Sequence, residues 1–469
     1  MNELIQLTAT QAVAKLRKGE VSAEELVQAS IDRITEVDGT INALPIHCFD
    51  RAKAQAKKNS KQPDFSNQRS LIGLPIAVKD YNDVGGIVTT YGSPIHARNI
   101  AAKSDATVAH LERNGAIPMA KSNVPEWAGG HTFNPVFGAT VNPWNTALSV
   151  GGSSGGSAAA LASGSVWLAT GNDLGGSLRT PASFNGIVGL RPSPGRVPRG
   201  SRLPPFDTLW VEGPMARCVE DIALMMDAGC GHELDDPLSF EDTTTSFLSG
   251  LTTDLLPKRV AYSPDLGIVP MAKEVSLVCQ QAVGKFKGMG IDITDDIPDF
   301  TGVLESFQTL RAMLFATMMG PTLTQHREQI CPEIIGNIER GFDITPNQVF
   351  DAERVRSALY QRVTHFFKDH DFLMCPSVSV APFPIEQRYV KEIDGQTCKT
   401  YIDWFSITFA LTMTSCPVVT IPCGFTAKGM PVGIQIMGEP RGEAELLSFA
   451  KQLEGMLGLS AQLPINPRK

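Results

Sequence analysis

The sequence of 469 residues contains no run of lysine and arginine, and its formal net charge is −8. Holding nucleic acid relies on a basic excess that neutralises phosphate, so no nucleic-acid partner is expected. No apolar stretch approaches the roughly 20 residues needed to span a bilayer. The opening MNELIQLTATQ lacks the basic and apolar blocks of a signal peptide. A cytoplasmic enzyme or binding protein that does not associate with a membrane is the expectation. The nine cysteines are odd in number, scattered, and form no C-x-x-C pair. That usage suits a reducing compartment in which most of them are small core residues. The eight histidines show no H-E-x-x-H and no other ligand spacing, so neither a metal nor a cofactor is expected.

What the chain does have is an ordinary hydrophobic content of 42% and a length that suits roughly two to four average domains or one large α/β domain. Its glycine and serine gather in one place, SVGGSSGGSAAALASGSVWLATGNDLGGSLRTP from Ser149 to Pro181. Two turns stand out there. Gly151-Gly152-Ser153 is followed by Ser154-Gly155-Gly156-Ser157, and Gly175-Gly176-Ser177 comes later. Glycine in ordered backbone costs ~0.5–1 kcal/mol relative to alanine, so a structural turn explains one such cluster more readily than two. Between them the pattern predicts a helix from Ser157 to Ala162, broken at Gly164, and a short strand from Val166 to Ala169. Converging backbone N–H groups at such turns cradle a developing oxyanion. A phosphate cradle would need Gly-Lys-Ser/Thr or G-x-G-x-x-G, and neither spacing is present.

Upstream, Thr8-x-x-Gln11 and Ser22-x-x-Glu25 read as capping boxes whose helices are stopped by Gly19 and Gly39. Leu26, Val27, Ser30, Ile31, Ile34 and Val37 then form one helix face, expected to pack in the core. After a polar segment from Lys57 to Ser70, the strand Gly73-Leu74-Pro75-Ile76-Ala77-Val78 ends abruptly in Lys79-Asp80. A lysine there points toward the strand ends, where open α/β sheets hold ligands. Strand and helix patterns alternate onward: a helix from Asp105, a strand from Ala116 to Ala120, and a loop run through Asn142-Pro143-Trp144-Asn145. Strands are expected at Gly186–Arg191, Val260–Tyr262, Phe372–Pro376, Val418–Pro422 and Val432–Ile436. Helices are expected at Val219–Met226, Lys273–Lys287 and Glu443–Leu457, with a surface connection over Asp235–Leu256 and a mostly helical stretch over 300–370 that offers little chemistry.

Gly151-Gly152-Ser153-Ser154-Gly155 satisfies G-x-S-x-G, which raises an α/β-hydrolase with Ser153 as nucleophile. That elbow needs a strand before the serine and an acid, then a histidine, after it, and Asn142–Asn145 does not read as a strand. A base other than histidine is required. Free lysine, with a pKa of ~10.4, is charged at neutral pH, but burial in an apolar pocket can bring Lys79 to about 8.

Lys79 at its strand end, Gly151-Gly152-Ser153-Ser154-Gly155-Gly156, and Gly171-Asn172-Asp173-Leu174-Gly175-Gly176-Ser177-Leu178-Arg179 together resemble the amidase signature family. The likeness is strongest from Val150 to Arg191, clear at Gly73–Asp80, Asn134–Trp144, Gly213–Asp221 and Pro417–Gly438, and faint over 240–370. It implies one α/β domain over 1–469 with a mixed central sheet covered by helices on both faces: an N-terminal helical segment (1–60), the signature core (71–232) and a variable helical region with the rest of the sheet (233–469). It also implies a Ser-cisSer-Lys triad: Ser177 as nucleophile, Ser153 as bridging serine after a cis peptide bond, and Lys79 as base. The N–H groups of Leu174, Gly175, Gly176 and Ser177 would form the oxyanion hole, with Ser154, Asp173 and Arg179 supporting it.

The loop Trp127-Ala128-Gly129-Gly130 matches the family's substrate-side loop, and Tyr401–Phe405 with Trp404 offers further apolar contacts unless Trp404 is simply core. Two positions depart from the family pattern: Asn172 stands where Ser or Thr is usual, and Asn185 where Cys is frequent. The Asn-Asp pair is similar to that of the aminohexanoate cyclic dimer (nylon oligomer) hydrolases. Two functions stay open. One is a stand-alone amidase for a small, uncharged carboxamide; the other is the glutaminase subunit of a tRNA-dependent amidotransferase, which feeds ammonia to partner subunits. The latter usually shows Ser-Arg-Tyr-Gly and Ser-Leu-Asp-Gln where this chain has Pro198–Pro205 and Thr208-Leu209-Trp210-Val211-Glu212. The expected partner is a small-molecule amide, and a homodimer stays open.

Overall fold

The computed structural model describes residues 1–61, 71–200, 204–241, 245–252, 257 and 259–469. The polar segment expected up to Ser70, the stretch Pro198–Pro205 and the connection Asp235–Leu256 therefore lie partly outside the described residues. Both capping boxes form: Thr8 with Gln11, and Ser22 with Glu25, exchange side-chain and backbone bonds at the starts of Ala9–Lys18 and Ala23–Ile41. Gly19 ends the first helix in the left-handed conformation. Gly39 does not end the second, which runs on to bury Ile41. Asn42 takes the left-handed turn instead (φ 52), and Asp38 accepts the N–H groups of Ala43 and Leu44 beyond it.

Eleven strands build one mixed sheet. In chain order they are β1 (Ile46–His47), β2 (Pro75–Lys79), β3 (Ile117–Ser122), β4 (Leu168–Asp173), β5 (Val188–Arg191), β6 (Val211–Ala216), β7 (Arg259–Tyr262), β8 (Asp292–Thr294), β9 (Phe372–Pro376), β10 (Val418–Phe425) and β11 (Pro431–Met437). Across the sheet the order is β1-β3-β2-β4-β6-β5-β10-β11-β9-β7-β8. β2 runs parallel to both β3 and β4, and β7 runs parallel to β8 and β9. The strands between are antiparallel.

Alternation along the strands sends side chains to two separate cores. On β9, Phe372 and Met374 join one cluster while Leu373 and Cys375 join the other; on β7, Val260 and Ala261 split the same way. The first core takes the helices Gly155–Ala162, Val219–Gly229, Lys273–Lys287 and Glu443–Leu457, and the second takes Val303–His326, Pro332–Asp343, Pro346–Phe366 and Ser406–Thr412. A sheet buried on both faces explains why its strands read as continuous apolar runs. The cysteines are free thiols, buried except for Cys331 and Cys398. Among the described residues no helix is long and apolar enough to cross a membrane.

Two expectations need correction. The strand placed at Val166–Ala169 begins two residues later and continues to Asp173, because Leu168–Asp173 pairs along its whole length with β6. The loop run Asn142–Asn145 is the turn of a small ladder outside the large sheet, its two ends belonging to the paired strands Val141–Asn142 and Asn145–Ser149. Asn142 fixes that turn, its Oδ1 accepting the Trp144 N–H at 3.0 Å.

Candidate active site

β2 and β4 lie side by side, third and fourth from the β1 edge of the sheet, and the C-terminal end of each meets a glycine- and serine-rich turn. Lys79 is the last residue of β2 and is fully buried. Its backbone N–H donates to Thr170 Oγ1 at 2.9 Å, which fixes where the side chain leaves the strand. The Nζ then lies 2.7 Å from Ser153 Oγ, 2.7 Å from Ser154 Oγ and 2.6 Å from Asn172 Oδ1. All three partners are neutral. Lys121, one strand away and equally buried, has an anion instead: Asp80 Oδ1 at 2.9 Å. Burial lowers the pKa of Lys79 to about 7, outweighing the pull of Glu212 and Asp173 in the other direction.

That geometry selects a protonation pattern. Asn172 Oδ1 can only accept, and Ser154 Oγ spends its own hydrogen on the Asn172 carbonyl at 3.4 Å, so both take hydrogens from Nζ. A neutral amine has just two hydrogens. Its lone pair is then left facing Ser153 Oγ, which is the arrangement a base needs to accept a serine proton. Asn172, a departure from the family pattern, thus keeps an acceptor against the lysine. Asn185, the other departure, donates to the carbonyls of Val150 and Pro181 and helps hold the first turn.

Ser153 follows a cis peptide bond, Gly152–Ser153. Glycine is required at 152 by close approach, since a Cβ there would stand 2.2 Å from the Gly130 carbonyl oxygen. The same contact seats the loop Trp127–Gly130 against the serine turn. The second turn is joined to the first through its backbone, the Ser154 N–H donating to the Ser177 carbonyl at 3.3 Å. Ser177 itself is half-buried, while Ser153 and Ser154 are covered.

Asp173 shapes the second turn. Its Oδ1 accepts the Gly176 N–H at 2.8 Å and its Oδ2 the Leu178 N–H at 3.2 Å, which suits the φ of 127° that only glycine adopts readily at 176. With its N–H committed to Asp173, Gly176 differs from the other three residues expected in the oxyanion hole. The N–H groups of Leu174, Gly175 and Ser177 make no bond to another described residue. Arg179 spends all five donors: two on Asp173, and the rest on the Thr408 carbonyl, Gln435 Oε1 and Thr412 Oγ1. This is no surface ion pair, since Asp173, Arg179 and Arg191 are all fully buried. Burial opposes charge on Asp173, but Arg179 and Arg191 hold its carboxyl down to about 2.

Replacing Asp173 by asparagine is expected to cost about 3–5 kcal/mol of unfolding free energy, because it leaves two buried guanidiniums without their shared anion. Urea melts read this directly. A loss below about 1 kcal/mol would contradict it.

The loop Trp127–Gly130 is held from three directions. Tyr81 Oη donates to the Pro125 carbonyl and accepts the Ala128 N–H. Glu126 Oε2 accepts the Cys331 N–H at 2.8 Å, and Ile334 lies against Gly129. Trp127 and Ala128 both take positive φ (47° and 63°), conformations that non-glycine residues hold only where surroundings fix them. Trp127 stacks on Tyr91 with ring centroids 5.4 Å apart and lines a cavity of about 280 Å³ together with Tyr81, Trp210, Glu212, Phe315 and Met319. Gly175, two residues before Ser177, is covered by Phe307, Phe405 and Phe409. Trp404 does not reach the cleft. It is 1% exposed, packed among Phe184, Phe383 and Phe405, with its Nε1–H on the Tyr401 carbonyl.

Residues that sequence reasoning missed come from the helix Val303–His326, whose Phe307, Phe315, Met318 and Met319 face the site, and from Trp210 and Glu212 on the approach to and start of β6. The signal for the latter pair was the departure at Thr208–Glu212 itself.

Residues 25–447 match the amidase family model. An acylamidase of Rhodococcus erythropolis is 33% identical over 96% of this chain and 95% of its own length. A glutamyl-tRNA(Gln) amidotransferase subunit of Geobacter sp. (strain M21) is 30% identical over 96% and 97%. Among solved structures, a bacterial aryl acylamidase of the amidase signature enzymes superposes with a TM-score of 0.90 at 25% identity, covering 99% of this chain and 100% of that one. The 6-aminohexanoate cyclic dimer hydrolase in complex with substrate gives 0.86 at 25%, covering 98% and 99%. The match over most of the chain, and over nearly all of these relatives, establishes that the chain belongs to the amidase signature family, enzymes that hydrolyse amide carbon–nitrogen bonds.

Proposed function

We propose that the chain is a stand-alone amidase that cleaves a small, uncharged carboxamide through an acyl-enzyme on Ser177. The observation that carries this reading is Lys79, buried among neutral oxygen atoms and 2.7 Å from Ser153 Oγ. Ser177 Oγ attacks the carbonyl carbon as its proton passes by way of Ser153 to neutral Lys79. The negative charge on the carbonyl oxygen is met by the free N–H groups of Leu174, Gly175 and Ser177, fixed in advance by the Asp173–Arg179 pair. The lysine proton then returns through Ser153 to the departing nitrogen, and the C–N bond breaks. Water, deprotonated along the same route, attacks the acyl-enzyme and releases the acid.

The likeness to an acylamidase and an aryl acylamidase favours a substrate with an apolar acyl or aryl part. The aromatic residues that line the cavity and those that cover Gly175 support the same class. A panel of primary, aryl and lactam amides, with glutamine included, tests it on the purified chain alone. Turnover of aryl or small aliphatic amides is expected. If only glutamine is hydrolysed, the chain is instead an ammonia-supplying component like the amidotransferase relatives. Within the panel, Trp127→Ala should raise KM for bulky amides by about tenfold, the scale of one lost aromatic contact, and leave KM for acetamide nearly unchanged. Equal changes in both would count against Trp127 as a substrate contact.

A further inference from the structure

The cavity beside Lys79 has walls that hydrolysis of a neutral amide does not by itself require. Its rings belong to Tyr81, Tyr91, His96, Trp127, Trp210 and Phe315. Tyr91 stacks on Tyr81 at 6.4 Å as well as on Trp127, and Trp210 stands edge-on to Tyr81 at 6.2 Å. Two carboxyls, Glu212 and Asp105, also line it, and among the described residues no lysine or arginine does; burial pushes both carboxyls up, Asp105 to about 7. Glu212 is 3% exposed and fixed at both oxygens: Oε1 accepts the Trp210 Nε1–H at 3.0 Å and Oε2 the Asn82 Nδ2–H at 3.0 Å. His96 supplies no opposing charge at neutral pH, since burial and the nearby His326 hold its pKa below the usual value. Aromatic faces attract a cation within about 6 Å of the ring centre, and a carboxyl whose two oxygens both accept N–H bonds offers no donor to an anion.

The position of the cavity identifies which half of a substrate it meets. Lys79 Nζ lies 5.0 Å from the centroid of the Tyr81 ring, so the cavity begins beside the group that returns the proton to the leaving nitrogen. Gly175, by contrast, faces Phe307, Phe405 and Phe409. We propose that the cavity is an ammonium subsite, receiving the amine half of the substrate as an alkylammonium ion. Acylation breaks the C–N bond and forms the Ser177 ester. The proton lost by the Ser177 hydroxyl ends on the departing nitrogen, giving a neutral amine, and that amine takes one further proton from water to become the ammonium ion. The origin of the ligand rests on the amidase reading; the cation preference of the cavity does not.

Isothermal titration of the full-length Ser177→Ala protein with butylammonium chloride, at constant ionic strength, tests the subsite without turnover. Saturable binding at least tenfold tighter than that of butan-1-ol, similar in length and uncharged, is expected. Glu212→Gln should weaken butylammonium binding tenfold or more and leave butan-1-ol unchanged. Thr322→Lys, which adds a cation from the half-buried helix position lining the same cavity, should do the same and serves if Glu212→Gln fails to fold. Equal affinity for the two compounds, no binding of either, or butylammonium binding unchanged in a folded variant overturns the assignment. Because the readout is binding to a protein without Ser177 Oγ, a negative result leaves the amidase reading standing, and an inactive wild type leaves the binding result interpretable.

Discussion

Lys79→Ala is expected to lower kcat by about 10²–10⁴-fold, the range supplied by a positioned general base, while the thermal melt and far-UV spectrum stay native. The expectation follows from the contrast between the two buried lysines. Lys121 has Asp80 beside it, so its charge is matched; Lys79 touches only hydroxyl and amide oxygen atoms, so a charge there costs desolvation that Glu212 and Asp173 offset only in part. Below its pKa the lysine is an ammonium and cannot accept a proton. Above it, the amine can. The kcat/KM profile should therefore rise with pH through about 7 and level off above. Lys79→Arg should be as inactive as the alanine variant, because a guanidinium keeps its proton across this range. A flat profile, or wild-type turnover by either variant, would remove Lys79 from the mechanism.

The sequence makes some of this arrangement legible and hides the rest for physical reasons. Lys79 stands out because a charged residue ends an apolar strand, and the two turns stand out because glycine is costly wherever it is not needed. Those are local signals. The burial of central strands is also readable, as the continuous apolar runs Phe372–Pro376 and Val418–Pro422. The pairing of Asn145–Ser149 is not, because the residues of that ladder that are fully buried, Asn142 and Ser149, are polar and give no apolar alternation.

Asp173 and Arg179 read as residues that hold the loop, with an exposed ion pair, six residues apart, as the plainer alternative. Only the return of Thr408, Thr412 and Gln435 from the far end of the chain shows that they are interior. The helix Val303–His326 was opaque for a similar reason. It is apolar nearly all round, since one side packs on neighbouring helices while Phe307 and Phe315 turn toward the site, and no periodicity separates those two uses. Trp404 went the other way, an aromatic residue near the cleft in sequence that the fold spends on core packing.

The assignment of Ser177 and Ser153 to different tasks carries the largest expected effect. Ser177 is half-buried on a turn whose free N–H groups surround it, while Ser153 is covered and held against Lys79. Ser177→Ala should lower kcat on the order of 10⁶-fold, the scale seen when a serine nucleophile is removed from a hydrolase. Ser153→Ala should be slower than wild type by about 10²–10⁴-fold, as expected for a lost proton relay, yet keep a nucleophile that can be acylated. The most direct test is to treat wild type, Ser153→Ala and Ser177→Ala with a serine-directed fluorophosphonate and locate the adduct by peptide mass. The proposed mechanism predicts label on Ser177 in the wild type, slower label at the same residue in Ser153→Ala, and none in Ser177→Ala. Label on Ser153, or label that persists in Ser177→Ala, would contradict it and return the G-x-S-x-G serine as nucleophile.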